Sequence, residues 1–343
     1  MKYEKNINNL SLLNLEDEKP NLNLVVIGHV DSGKSTLMGH LLYLMGEVDE
    51  KTITKYKKQS KQDGKSTFHF AWALDEDSEE RKRGVTVDIA YKHFQTKNKN
   101  ITVMDAPGHQ DFIPNMITGT SAADCGLLIV DSGKNSFDAG FFSGGQTKEH
   151  AILARSLGVK KLIICVNKLE IWDWSKERFD YIKNLLNDYL LSLDFKNEDL
   201  YFLPISGLQG VNLIKKPDDL TKLLWYEGNT LIELIDSLES PSRDYESPLR
   251  FSINDVGTTK VESLQGFGIF GKVESGVVEV DHEYLITPLN IKVKIRAIGC
   301  DLGKVNLLKA GTTGELLLLN DKSLPFDDIR YLYFIILFNY LII

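Results

Sequence analysis

The chain has 343 residues, a formal net charge of −8, and 43% hydrophobic against 26% charged residues. That length allows two domains, and the composition is that of an ordinary globular protein with enough apolar residues for a core. The acidic balance excludes a global basic footprint for nucleic acid, and three widely spaced cysteines (Cys125, Cys165, Cys300) argue against a disulfide framework or a zinc site.

Residues 1–20 read as a disordered lead-in rich in Asn, Glu and Lys. They lack the apolar core of a signal peptide, so a cytoplasmic protein is expected. Leu22–Ile27 reads as a buried strand and Ser35–Leu44 as a helix. Between them Gly28-His29-Val30-Asp31-Ser32-Gly33-Lys34-Ser35 fits G-x-x-x-x-G-K-[ST], a phosphate-binding loop. Its glycines let the backbone wrap an anion, and the helix N-terminus, with Thr36 in its first turn, points N–H groups at phosphate oxygens. Lys34 would reach the outer phosphates and Ser35 would coordinate magnesium. The alternative is a glycine turn before an ordinary helix; the flanking strand and helix favour the phosphate loop.

From Glu47 to about Val85 the pattern weakens. Lys51–Lys65 is Lys-rich helical material, and Asp75–Arg83 is a dense run of charge. Such an insertion suits an element that orders around a ligand, although most of its charges read as a solvated face. Val85–Phe94 and Ile101–Asp105 read as strands. In Asp105-Ala106-Pro107-Gly108-His109 a strand-terminal Asp can hold magnesium through water, and Gly108 leaves an N–H for a terminal phosphate. Helices are predicted over Phe112–Ala123, Thr147–Leu157, Lys176–Leu193 and Thr230–Leu238. Strands are predicted over Leu127–Asp131, Leu162–Val166 and Tyr201–Ile205. Residues 21–240 thus form an α/β domain, a mostly parallel sheet with helices on both faces, with every site residue beyond a strand's carboxyl end. Cys125 and Cys165 read as buried structural thiols.

Residues 241–248 read as a linker. Leu249–Val256, Gly268–Val278, Glu283–Thr287, Ile291–Ile298 and Thr312–Leu319 are short runs rich in β-branched residues, which makes 249–326 an all-β barrel. Residues 327–343 are expected to be an apolar tail of non-native origin. Tyr331–Ile343 is uncharged, can be encoded by A and T alone, and is too short to span a membrane.

Taken in order, these motifs resemble the translational GTPases of the elongation factor 1-alpha superfamily. Gly28–Ser35, Arg83-Gly84-Val85-Thr86, Asp105–His109, Asn167-Lys168-Leu169-Glu170 and Ser206-Gly207-Leu208 occupy its phosphate, switch, second phosphate, guanine and base-supporting positions. Within it, Leu41–Gly46, Phe70–Glu76, Ser78–Arg81, Phe112–Ile117 and Gly144–Thr147 look most like the HBS-type ribosome-rescue GTPases, the partners of Pelota. The resemblance implies GTP/GDP and Mg2+ as ligands, with Ser35, Thr86 and Asp105 at the metal. It implies Asn167, Lys168, Glu170, Ser206, Gly207 and Leu208 at the base. His109 would orient the attacking water and Val30 and Val85 would gate it. The implied partners are the ribosome and a Pelota-type protein, and a monomer without membrane attachment is expected.

Two features depart from the family. Glu170 stands where the pattern has Asp, so the guanine-reading carboxylate is a methylene longer. The chain also stops before the family's third domain, another β-barrel. The nearest alternative is an elongation factor delivering aminoacyl-tRNA, although Ala297–Asp301 lacks the histidine-containing segment of elongation factor 1-alpha. A termination GTPase, the GTPase subunit of sulfate adenylyltransferase, and a non-catalytic nucleotide-binding adaptor or non-functional fragment are the others.

Overall fold

The structure is a computed structural model that describes residues 19–62, 64–73, 90–105, 116–117, 120, 122–142, 145–217, 223–300, 303–319 and 334–337. The elements of its first unit are β1 (Asn21–Ile27), α1 (Lys34–Leu44), α2 (Glu50–Gln62), β2 (Ala90–Gln95), β3 (Asn100–Asp105), β4 (Cys125–Asp131), α3 (Lys134–Phe141), α4 (Gln146–Ser156), β5 (Lys161–Asn167), α5 (Lys176–Ser192), β6 (Leu200–Pro204) and α6 (Leu231–Ser237). The unit spans Leu22–Ser240.

Strands that are apolar on both faces need cover on both sides. Along β1, Leu24 and Val26 point to one face and Val25 and Ile27 to the other, and all four are buried. One side packs with Leu37, Leu41 and Ile235 of α1 and α6, the other with Phe137, Ile182 and Leu186 of α3 and α5. The sheet order is β2-β3-β1-β4-β5-β6. The β1–β4, β4–β5 and β5–β6 pairs are parallel and β2–β3 is antiparallel.

Local signals set the helix starts. Ser175 caps α5 by accepting from the Arg178 N–H, and Thr230 and Glu233 form a reciprocal capping box on α6. The predicted helices and strands of this unit are found within one or two residues wherever they lie among the described residues. The predicted helix Phe112–Ala123 and residues 85–89 lie largely or wholly outside them. Helix α3 was not expected; its apolar signal is Phe137 and Phe141, a single i, i+4 pair. Cys125 and Cys165 are buried as expected, and burial pushes the Cys125 thiol up to about 12. Among the described residues no helix is long and apolar enough to cross a membrane.

The second unit, built on Pro241–Ile343, continues with β7 (Arg250–Val261), β8 (Leu264–Ser275), β9 (Val277–Glu279), β10 (Glu283–Thr287), β11 (Ile291–Cys300), β12 (Gly303–Val305), β13 (Leu307–Lys309), β14 (Thr313–Leu318) and β15 (Phe334–Leu337). β7 and β8 form one long hairpin that turns at Glu262, which has a φ of 52°. From the sequence this hairpin reads as two shorter strands, Leu249–Val256 and Gly268–Val278, with Gly257 and Gly266 in the gap between them. Gly271 is required by closeness: an added Cβ would collide with the Ser252 carbonyl oxygen on β7.

Six strands close on themselves in the order β7-β8-β14-β11-β10-β15, all antiparallel. The closing strand comes from the apolar stretch read from the sequence as a foreign tail. Ile335 stands opposite Phe251 of β7 on one side and Ile286 of β10 on the other, and all three are fully buried. Without β15, β7 and β10 would each present an open edge. Ile335→Ala should therefore cost about 2–4 kcal/mol of stability, read as a lower urea midpoint of the full chain. A loss under about 0.5 kcal/mol, the size of an ordinary surface change, would show that this strand does not seal the barrel.

Candidate nucleotide-binding site

The site grows from the carboxyl ends of the parallel strands. Gly28 follows β1, Asp105 ends β3, Asp131 ends β4, Asn167 ends β5 and Ser206 lies just past β6. Such ends are where open α/β sheets bind ligands.

The loop Gly28–Ser35 can take its shape only with these glycines. Gly28 has a φ of 147°, and a Cβ there would collide with the Ile129 carbonyl of β4. Gly33 has a φ of 92° and packs on the Asn167 side-chain amide. Asp31 is left-handed at 59°. Inside the loop, Lys34 Nζ donates to the carbonyls of Gly28 (2.9 Å) and His29 (3.0 Å). Burial pushes the Lys34 ammonium down to about 8, against the pull of Asp105 and Asp31. From outside, the Gly28 and Val30 N–H groups donate to His150 Nδ1 (3.0 Å) and Gln146 Oε1 (3.1 Å) on α4. Ser35 and Thr36 occupy the first turn of α1.

Two of the three residues expected at the metal, Ser35 and Asp105, are in contact. Ser35 Oγ donates to Asp105 Oδ2 at 2.9 Å, a hydroxyl and a carboxylate beside the loop lysine. That donor set suits Mg2+, a hard cation that takes oxygen ligands. Val85, Thr86, Gly108 and His109 lie outside the described residues.

Of the residues expected at the base, Asn167 and Lys168 bond to the same loop. Asn167 is 3% exposed; its Nδ2 donates to the Ser32 carbonyl and its Oδ1 accepts from the Gly207 N–H, each at 2.9 Å. Lys168, left-handed at 61°, reaches over the loop from Asp131 Oδ2 (2.8 Å) to the Asp31 carbonyl (2.7 Å). Ser206 is fully buried and its Oγ accepts from the Gln209 N–H, while Leu208 is exposed. Among the buried side-chain atoms of the described residues without a hydrogen-bond partner are His29 Nδ1 and Ser32 Oγ in the loop and Oε2 of Glu170 in the turn after Lys168. A buried carboxylate oxygen in that position is suited to N–H donors from a guanine edge.

Four contributors were not singled out from the sequence. Gln146 appears there only in a motif of resemblance. His150, Ser132 and His40 carry no local signal, because each acts on a chain segment far away in sequence. Ser132 Oγ donates to the Lys168 carbonyl and the His40 ring is bonded to the Gly207 carbonyl at 2.7 Å.

A model of the elongation factor Tu GTP binding domain matches residues 19–241. Elongation factor 1-alpha-B of Schizosaccharomyces pombe is 41% identical over 327 residues, 91% of this chain and 69% of that protein. The chain belongs to the elongation factor Tu/elongation factor 1-alpha family of GTPases. Among its relatives in that family, Protein HBS1 of Drosophila melanogaster is 44% identical over 284 residues, 82% of this chain but only 42% of that protein. The chain thus spans less than half of HBS1. In fold it aligns with the S. cerevisiae Ski7 GTPase-like domain bound to GDP and inorganic phosphate, at a TM-score of 0.76 and 22% identity over 93% of this chain and 75% of that one.

Asn167→Ala leaves two buried backbone groups unpaired, Ser32 C=O and Gly207 N–H. It should destabilise the nucleotide-free chain by about 2–4 kcal/mol, read by urea unfolding. An unchanged midpoint would mean that this amide only reads the base. Burial, with Lys34 and His29 nearby, pushes the His150 imidazole down to about 3 from an ordinary 6.5. The unfolded chain therefore takes up the extra proton between those values, and stability falls as pH falls through that window. This group should account for about 2 kcal/mol of the loss between pH 7 and pH 5. His150→Asn should flatten the pH dependence of the urea midpoint by that amount.

Proposed function

We propose that this chain binds and hydrolyses GTP as a translation factor and delivers a Pelota-type partner to stalled ribosomes. The observation that carries the nucleotide part is the Asn167 side chain, which joins the phosphate loop to the base-supporting turn in a single contact network. Family membership supports GTP as the nucleotide. For the rescue role, support comes from the identity to HBS1 and from the HBS-like segments around Leu41–Gly46 and Phe70–Glu76.

Hydrolysis of GTP by water calls for positioning and charge neutralisation more than covalent chemistry. Lys34 and the loop amides would hold the phosphates. Ser35 and Thr86, with Asp105 behind, would hold Mg2+, which supplies positive charge to the phosphate oxygens. His109 would orient the water, with Val30 and Val85 controlling its approach. Asn167, Lys168 and Glu170 would hold the guanine, with Ser206, Gly207 and Leu208 behind it. The elongation reading stays in view because elongation factor 1-alpha matches over 91% of the chain.

The test is GTP turnover with ribosomes, adding a Pelota-type protein or aminoacyl-tRNA. Acceleration that needs the Pelota-type protein and disappears in His109→Ala supports rescue. Acceleration by aminoacyl-tRNA assigns the chain to elongation, and intact binding without acceleration makes it an adaptor. Glu170 should make guanine selectivity weaker than the family pattern. Glu170→Asp is expected to widen the GTP-over-xanthosine-triphosphate preference by about 10-fold or more, measured by titration. Equal selectivity in both proteins would show that the backbone absorbs the extra methylene.

A further inference from the structure

We propose that helix α2 is a docking face for structured RNA, on which five lysines seat the phosphate backbone of a duplex without reading its sequence. The surface owes nothing to the nucleotide site; the choice of RNA over DNA rests on the ribosomal reading of the chain.

Lys51, Lys55, Lys57, Lys58 and Lys61 are all exposed, and among the described residues none of them forms an ion pair. The helix sets one carboxylate, Glu50, against these five. A strong local positive field thus stands on a chain whose net charge is −8. Lys51, Lys55 and Lys58 follow at i, i+4 and i+7 and form one stripe. Lys57 and Lys61 are a second i, i+4 pair beside it. Ile53, Tyr56 and Ser60 take the opposite side. Ile53 and Ser60 are buried, and the Tyr56 ring meets Trp72 edge to face at 6.3 Å. Asp49 caps the helix by accepting from the Thr52 N–H (2.7 Å) and hydroxyl (3.1 Å). The lysines therefore stand on an anchored, preformed rod about 20 Å long. Like charges three and four residues apart weaken a helix. A polyanion laid along this face removes that repulsion and releases the counterions condensed on its phosphates.

The residues between the lysines choose among polyanions. Thr54, Gln59 and Gln62 are exposed there and all are polar, while the apolar and aromatic side chains of the helix point inward. A lipid surface is held by apolar side chains that sink below the headgroups. Single strands are held by aromatic rings that stack on the bases. This face offers neither. A duplex backbone needs only cations and hydrogen-bond donors, and A-form RNA is recognised largely by shape and backbone.

The test measures binding of the full chain to a mixed-sequence RNA duplex across a salt series. Lys51→Gln, Lys55→Gln and Lys58→Gln, combined, remove the stripe and keep a good helix former. Arg at the same three positions keeps the charge. Lys160→Gln, Lys183→Gln and Lys304→Gln, combined, change three exposed lysines elsewhere and alter the net charge equally. The stripe variant is expected to bind about 10-fold more weakly at moderate salt and to lower the slope of log K against log salt by about 3. The Arg variant and the distant variant should bind nearly as the native chain does. The urea midpoint of the stripe variant should be native or higher, because like-charge repulsion has been removed. An equal loss of binding in the distant variant, or no loss in the stripe variant, overturns the docking face. So does tighter binding of the native chain to phosphatidylserine vesicles, to polyglutamate or to a DNA duplex than to the RNA duplex. GDP binding is measured on the same samples. A native chain that binds GDP but no RNA duplex overturns this inference alone, whereas duplex binding without GDP binding supports the face and overturns the nucleotide reading.

Discussion

One side-chain amide holds the nucleotide site together. Asn167 has no access to solvent to speak of, and both ends of its carboxamide are committed to backbone groups on other loops. Through it the end of β5, the phosphate loop after β1 and the turn after β6 become one object. A carboxamide is suited to this because it donates from one end and accepts at the other in a fixed plane. Lys168, the next residue, repeats the logic from above by linking Asp131 at the end of β4 to the Asp31 carbonyl. Three strand ends that are far apart in sequence are thereby fixed to one loop.

The ties extend beyond the strand ends. His40 on α1 is bonded to the Gly207 carbonyl, and its ring stacks on Phe70 at 3.8 Å between centroids. Gly39 beside it lies against the Phe70 carbonyl too closely for any side chain. The turn after β6, the first helix and the segment around Phe70 thus share one buried contact. A polar network of this kind is rigid when every member is satisfied. His29 Nδ1, Ser32 Oγ and Glu170 Oε2 are buried without a partner among the described residues, and a nucleotide could serve them.

Much of this was legible in the sequence, for reasons that can be named. The phosphate loop is legible because its glycines answer to local backbone geometry: Gly28 and Gly33 have positive φ, and both are crowded by a neighbouring strand or side chain. The buried strands are legible because Val, Ile and Leu runs on both faces have few other uses. The roles of Gln146 and His150 were not legible, because their partners lie 116 and 122 residues earlier and an α-helix face does not announce what it touches. The β7–β8 hairpin was read as two shorter strands because Gly257 and Gly266, in the gap between them, look like breaks. Phe334–Leu337 was misleading in the other direction. An apolar run carries no record of its neighbours, and only the pairing with Phe251 and Ile286 shows that a barrel strand is what it forms.

The central claim is that the three loops after β1, β5 and β6 are one guanine-nucleotide site. Amide hydrogen exchange of the full chain, with and without saturating magnesium and GDP, tests it directly. The account predicts that protection rises together in 28–36, 167–171 and 206–211. Protection confined to one of these segments, or absent from all three, would contradict it.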